Sequence, residues 1–264
     1  MFELKGHAAL VTGSSKGIGR AIAVALAGLG VDIVVHARTL SADAQYTIAE
    51  CKKRGVRTGF VAADLASPTD AAVEKVFTEA TKHFPNLDLL VNNAGGAEFA
   101  EFEDVSLAQF ERTHRLNVAF PYFLTQRFAK HWQARNAEGR VVIVGSINGQ
   151  LAETGISDYD VAKGGVEMMV KTLAVALAPK NIRVNGLAPG MIMTHANAGL
   201  NDDPAQVAWV KHHTPNGLIP DADSCAGAAV YLLSDEAYHV HGHMLMVDGG
   251  MRAWQHPIRD GWKQ

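Results

Sequence analysis

Ala8-Ala9-Leu10-Val11-Thr12-Gly13-Ser14-Ser15-Lys16-Gly17-Ile18-Gly19 begins as a short apolar run, passes through a glycine-rich turn and leads into an amphipathic stretch, Gly17–Leu29. An apolar run without polar alternation reads as a strand covered on both faces, as in a parallel sheet. Glycine lets a turn adopt positive φ and lets backbone approach an anion closely. A helix starting at that turn presents unpaired N–H groups and its positive dipole end to a pyrophosphate. The spacing Gly-x-x-x-Gly-x-Gly is one residue longer than the usual dinucleotide fingerprint, and a purely structural tight turn is the other reading. Its place between the first strand and the first helix favours the phosphate cradle.

Outward from this unit the same alternation continues. Strand-like runs are Ala8–Thr12, Ile33–His36, Thr58–Ala62, Leu87–Asn92, Arg140–Gly145, Ile182–Leu187 and Met244–Val247. Between them lie the amphipathic stretches Gly17–Leu29, Ala42–Arg54, Thr69–Phe84, Leu107–Ala134, Ser157–Leu177 and Ala222–Leu233. Strand and helix in rotation predict an α/β fold, a doubly wound Rossmann-type parallel sheet of about seven strands with helices on both faces. No linker, charge block or repeat divides the chain, so residues 1–264 read as a single domain. One segment, 191–215, breaks the rotation. There Asp203 is placed to cap a short helix with Pro204 at its first position. An insertion after a strand's carboxyl end is a candidate substrate lid.

Composition narrows the function. The 264 residues carry 24 Lys+Arg against 27 Asp+Glu, a formal net charge of −3, which lacks the basic excess of a nucleic-acid binder. The longest apolar run, Ala21–Val31, is well short of the ~18–20 residues that span a bilayer. Residues 1–6 lack the apolar core of a signal sequence. Two cysteines, Cys51 and Cys225, argue against a disulfide scaffold or a Cys-based zinc site. A cytoplasmic protein is expected. His239, His241 and His243 fall at every second position, with no accompanying carboxylate or Cys set. They read as surface or interface residues, and no metal is expected.

The second strand ends His36-Ala37-Arg38-Thr39, without the carboxylate that binds a ribose diol and repels a 2′-phosphate. Arg38, together with Lys16 in the glycine turn, suits a dianionic 2′-phosphate, so NADP is favoured and NAD is the alternative. The bland reading is two solvated charges. Further along, Tyr159 and Lys163 stand four residues apart on one helical face. An ammonium ~5 Å from a phenol is expected to lower its pKa by roughly two units. That brings an otherwise poor acid–base group toward neutrality. Ser146, at the carboxyl end of Arg140–Gly145, can donate to a substrate oxygen opposite the phenol. A cap or turn role is its bland alternative.

With these residues quoted, the chain resembles the classical short-chain dehydrogenase/reductase family over nearly its whole length. Thr12-Gly13 through Gly19, with Ser15, Lys16, Gly17 and Ile18, is similar to the family's cofactor turn, and Asp64-Leu65 to its adenine-contacting pair. Asn92-Asn93-Ala94-Gly95 matches the segment after the fourth strand, and Asn117 stands where the family places a fourth catalytic residue. Ser146, Tyr159 and Lys163 keep the family spacing. Pro189-Gly190, Ile192 and Thr194 resemble the loop at the nicotinamide amide, and Val247-Asp248-Gly249-Gly250 the last strand and turn. Two departures stand out: His36-Ala37 precede Arg38, and Gly145 stands where a second serine is common.

The resemblance implies a catalytic set of Asn117, Ser146, Tyr159 and Lys163. Tyr159 acts as general acid or base, Lys163 binds the nicotinamide ribose, and Asn117 holds a water leading to Lys163. It also implies a homo-oligomer, commonly a tetramer, built on the helices around Leu107–Ala134 and Ser157–Leu177. For substrate, Gly96, Ala97, Glu98, Asn148, Gln150 and Glu153, with His195, Trp209 and His213 from the lid, are candidate wall residues. Their polar character favours a polyol, sugar or other hydroxylated ketone over a long acyl chain, within the class of small-molecule carbonyl or alcohol substrates. The expected function is hydride transfer between NADP(H) and a secondary alcohol or ketone. An NAD-dependent polyol or sugar dehydrogenase and a catalytically silent nucleotide sensor are the alternatives.

Overall fold

The computed structural model describes residues 2–254, apart from the side chains of residues 195, 196, 198 and 201. Seven strands pair in parallel throughout: β1 (Ala8–Val11), β2 (Asp32–Ala37), β3 (Thr58–Ala62), β4 (Leu89–Asn92), β5 (Gly139–Val144), β6 (Ile182–Pro189) and β7 (Met244–Val247). Their order is β3-β2-β1-β4-β5-β6-β7. The expected strand positions hold to within two residues at either end.

Continuous apolarity in the strands has a direct cause. Successive side chains point to opposite faces, and both faces are covered. In β1, Ala8 and Leu10 enter one core cluster while Ala9 and Val11 enter the other. In β5, Val141 and Ile143 join the first cluster, and Val142 and Val144 the second. The first face is roofed by α3 (Thr69–His83), α5 (Phe120–Ala134) and α6 (Ser157–Leu177), the second by α1 (Gly17–Gly28), α2 (Ala42–Lys52) and α8 (Ala226–Leu233). Both faces therefore bury apolar surface at roughly 25 cal/mol per Å².

Two expected stretches are subdivided. Leu107–Ala134 is not one α-helix: α4 (Leu107–His114) and α5 are joined by a π-helical turn, Arg115–Ala119. Ala222–Leu233 begins with a 3-10 turn, Ala222–Cys225, before α8. In 191–215, the segment predicted as a lid, a kinked 3-10 stretch (His195–Asp202) leads into α7 (Pro204–His213). Asp203 caps α7 as expected, accepting N–H bonds from Ala205 and Gln206.

Strand order reverses at β1, whose neighbours β2 and β4 lead to opposite edges. The turns after β1 and β4 therefore open a crevice at the carboxyl end of the sheet, where such folds bind ligands.

The first core depends on an aromatic stack in which Phe128 lies edge-on to Phe77 at 5.1 Å and 5.5 Å from Trp132. Phe128 is fully buried. Phe128→Ala is expected to lower unfolding free energy by about 3–5 kcal/mol, read as a drop in urea midpoint at unchanged slope.

Candidate active site

Thr12, just beyond β1, ties the two crevice turns together. Its Oγ1 accepts the N–H groups of Asn93 and Ala94, each at 3.0 Å. Asn93 reaches back, its Nδ2 donating to the carbonyls of Thr12 (2.9 Å) and Gly13 (3.2 Å). Gly19, at the start of α1, packs on this clasp. A Cβ there would lie 2.5 Å from Asn93 Nδ2 and from the Gly13 carbonyl oxygen. Gly17 has φ +58°, the left-handed region that glycine occupies without strain. No side chain caps the N-terminus of α1, which leaves its first N–H groups and positive dipole end available to an anion.

The turn is braced from behind. The Ser15 carbonyl accepts from Arg20 Nε (2.9 Å) and from Thr47 Oγ1 (3.0 Å). The Gly13 N–H donates to His36 Nδ1 at 3.0 Å, and the other ring nitrogen, Nε2, meets the Ala63 carbonyl at 3.2 Å. Those partners require the neutral Nε2–H tautomer. Burial pushes the His36 pKa down to about 4, with the Ala63 carbonyl working the other way. In sequence this histidine was only a departure from a pattern. Its role as a brace depends on a contact 23 positions away that no local periodicity encodes.

Arg38 and Lys16 are exposed beside this turn in the chain. Among the described residues neither has an ion-pair partner. Asp32, at the opposite end of β2, is held by Arg57 at 2.5 Å. Asp64 turns the chain after β3 by accepting the Ala66 N–H, and Leu65 is buried beside it. The loop after β6 returns to the glycine turn. Thr194 lies where a Cβ on Gly17 would touch it at 3.7 Å, Gly190 packs on Asp248, and Ile192 is buried in the second core.

At the ends of β4 and β5 the four candidate catalytic residues assemble. Asn117 lies in the π-helical turn, an irregularity often found at functional sites. Its Nδ2 donates to the carbonyls of Thr113 and Gly96, both at 2.9 Å, and its Oδ1 accepts the Gly96 N–H at 3.3 Å. Lys163 is buried, with Nζ donating to the Val144 carbonyl at 3.0 Å. A Cβ on Gly95 would stand 2.7 Å from Asn117 Oδ1 and 3.4 Å from Lys163 Nζ, so both polar ends converge on that glycine. Lys163 Nζ is 5.4 Å from the Tyr159 ring centroid.

The expected spacing of ammonium and phenol is therefore present, but the expected lowering of the phenol is not. Burial pushes Tyr159 up to about 12; the Ser146 hydroxyl opposes this, while the charges of Asp160 and Glu153 add to it. Lys163 is itself pushed down to about 8 by desolvation. In the chain alone, loss of water is the largest cause of both shifts.

Of the candidate substrate residues, Gly96 stands at Asn117 and Asn148 at Ser146. Asn148 N–H donates to Ser146 Oγ at 3.1 Å, and Oγ is 3.2 Å from Asn148 Oδ1. Glu153 joins through Asn148 Nδ2 at 3.3 Å. Gln150, by contrast, is bonded to Glu167 at 2.5 Å. Trp209 is more than half exposed on α7 and stacks on His213 at 4.1 Å. Among the described residues no hydrogen bond or ring contact joins Trp209 or His213 to Ser146 or Tyr159. The His195 side chain lies outside the described residues. No group of three metal-ligating side chains comes together among the described residues.

A family model described as Enoyl-(Acyl carrier protein) reductase matches residues 13–252. The chain belongs to the classical short-chain dehydrogenase/reductase family. It is an NAD(P)-dependent oxidoreductase of that family. It is 34% identical over 248 residues to L-rhamnose 1-dehydrogenase (NAD(P)(+)) of Sphingomonas sp. (strain SKA58), covering 94% of this chain and 97% of the relative. Glucose 1-dehydrogenase 2 of Bacillus subtilis (strain 168) is also 34% identical, over 251 residues, with 94% and 96% covered. The crystal structure of a gluconate 5-dehydrogenase from Burkholderia cenocepacia J2315 in complex with NADP and tartrate superposes with TM-score 0.89 at 32% identity, covering 96% and 98% of the two chains.

The brace at His36 has a pH signature. Its folded pKa lies below the unfolded value of 6.5, so its contribution is complete above pH 6.5 and is lost as pH falls toward 4. Wild-type unfolding free energy is expected to lose roughly 3 kcal/mol from this group over that window. In His36→Asn the stability–pH profile should be flatter by that amount, as read from urea denaturation at stepped pH.

Proposed function

We propose that this chain transfers a hydride between NADP(H) and a secondary alcohol or carbonyl carbon of a sugar-class substrate. The observation that carries the reading is the convergence of Ser146, Tyr159, Lys163 and Asn117 beside the braced glycine turn. The residues fit the cofactor: uncapped N–H groups at α1 for the pyrophosphate, Gly13 and Gly19 without room for a side chain, and two cations without an ion-pair partner among the described residues for a 2′-phosphate. Gly13, Ser15, Lys16, Gly17, Ile18 and Gly19 hold the phosphates. Arg38 and Lys16 take the 2′-phosphate, Asp64 and Leu65 flank the adenine, and Asn93, Ala94, Gly95, Pro189, Gly190, Ile192 and Thr194 line the nicotinamide half. When bound, the nicotinamide supplies or accepts the hydride.

The chain's own residues manage the proton. Tyr159 keeps its phenolic proton at neutral pH, since burial raises its pKa, and gives it to the substrate oxygen in reduction. Ser146 Oγ donates to that same oxygen and stabilises the charge developing on it. Lys163, with one N–H fixed on Val144, has two further donors for ribose hydroxyls and for a proton path past Asn117. In the oxidative direction any cation brought against the phenol lowers its pKa, offsetting the burial that raises it.

We infer a homotetramer. Phe110, Tyr122, Phe123, Val161, Met168 and Val175 on α4, α5 and α6 stay solvent-accessible, large apolar groups suited to a partner's helices. Two buried free thiols, Cys51 and Cys225, both pushed up to about 11 by burial, suit a reducing cytoplasm. No helix among the described residues is long and apolar enough to cross a membrane.

Tyr159→Phe is expected to lower kcat by about 10²–10⁴-fold while the NADPH dissociation constant, from fluorescence titration, changes by less than about threefold. Undiminished turnover would remove Tyr159 from the acid–base role, and a wild type that binds NADPH without turning over any alcohol or ketone would favour the nucleotide-sensing alternative. Arg38→Asp is expected to weaken NADP by at least about tenfold and to leave NAD affinity nearly unchanged. Equal losses for both would remove the 2′-phosphate assignment.

A further inference from the structure

The relatives named above act on neutral sugars in some cases and on a sugar acid in another, so likeness alone does not choose between them. The charge beside the reacting hydroxyls does. Asn148, closed on Ser146, extends its Nδ2 to two carboxylates, Asp160 Oδ1 at 2.9 Å and Glu153 Oε2 at 3.3 Å. Asp160 also accepts the Glu153 N–H at 2.8 Å, and it directly follows Tyr159 in α6. Both acids are therefore one side chain away from Ser146.

Among the described residues neither carboxylate is ion-paired. Glu98, after β4, differs in this respect because Arg112 neutralises it. The nearby Lys163 cation is buried and turned to the Val144 carbonyl. Asp160 is half-buried, where salt screens less effectively than at an open surface.

We propose that Glu153 and Asp160 make this site selective for neutral hydroxylated sugars against sugar acids, an inference that rests on the sugar-class reading above. Sugar hydroxyls are donors, and carboxylate oxygens with unused lone pairs accept them. A substrate carboxylate brings no donor and meets two uncompensated like charges.

The test measures kcat/KM with NADP⁺ for D-glucose, L-rhamnose and D-gluconate in the wild type and in Glu153→Gln, at low and at high salt. Neutral sugars should lead gluconate by about tenfold or more at low salt. The lead should narrow severalfold in high salt and by up to about tenfold in Glu153→Gln, mainly through a lower KM for gluconate. Glu153 is exposed, so the variant keeps its fold. Gluconate equal to or better than the sugars, or a lead unmoved by both salt and Glu153→Gln, overturns the charge selection and leaves the sugar-class reading standing. Turnover of none of the three, with NADPH still binding, overturns both.

Discussion

The hydroxyl of Thr12 accepts two N–H bonds from the turn after β4, and Asn93 answers by donating to two carbonyls of the turn after β1. These bonds span about eighty positions of sequence. They hold together the two loops that a reversal of strand order would otherwise leave as separate edges of a crevice. The position of Gly19 follows from this clasp, since its Cα stands where a side chain would strike Asn93. The direction of α1 follows as well, and with it the orientation of the uncapped N–H groups. His36, Arg20 and Thr47 brace the same turn from beneath. A backbone cradle binds anions well only if it is already in place, because ordering it at the moment of binding would consume binding free energy.

Next to this polar clasp the site pushes its two key ionisable groups in opposite directions. Burial disfavours charge on both, raising the phenol and lowering the ammonium. With Lys163 near 8 and Tyr159 near 12, the chain at neutral pH holds a protonated tyrosine and a mostly charged lysine. That is the protonation state a general acid needs for carbonyl reduction. Sequence spacing supplies the distance between the groups; the medium between them decides how much of the Coulombic attraction survives, and the medium is a property of the packed fold.

The same division explains what could be read from the chain. All seven strands were legible because a doubly covered sheet demands apolar side chains on both faces, and runs such as Ala8–Val11 and Val141–Val144 have few alternatives. Asp203-Pro204 was legible because caps are local chemistry. The π-helical turn at Arg115–Ala119 was not, since one extra residue in a helix hardly disturbs an apolar pattern of period 3.6 over 28 residues. His36 stands out in the sequence only as a departure from the family pattern, and its role is not legible there because it lies in a contact with Gly13. Trp209 suggests a substrate contact by its position in an insertion; in the structure it is exposed on α7 and stacked on His213.

Glu153 and Asp160 hold two roles that pull against each other. Through Asn148 they fix the serine hydroxyl, and a side chain bonded at both ends loses less entropy when substrate arrives. Their charges also raise the phenol, which hinders proton removal in the oxidative direction. Asp160 accepts through both oxygens, from Asn148 Nδ2 and from the Glu153 N–H, which a single amide oxygen cannot do. Glu153 accepts from Asn148 through one oxygen that an amide would also offer, so orientation accounts for the carboxylate of Asp160 and not for that of Glu153. What amides lack is strong, donor-free acceptance of hydroxyl groups together with repulsion of a carboxylate. The acid at Glu153, beside a tyrosine that it disfavours, is thus better explained by what it admits to the site than by what it holds in place.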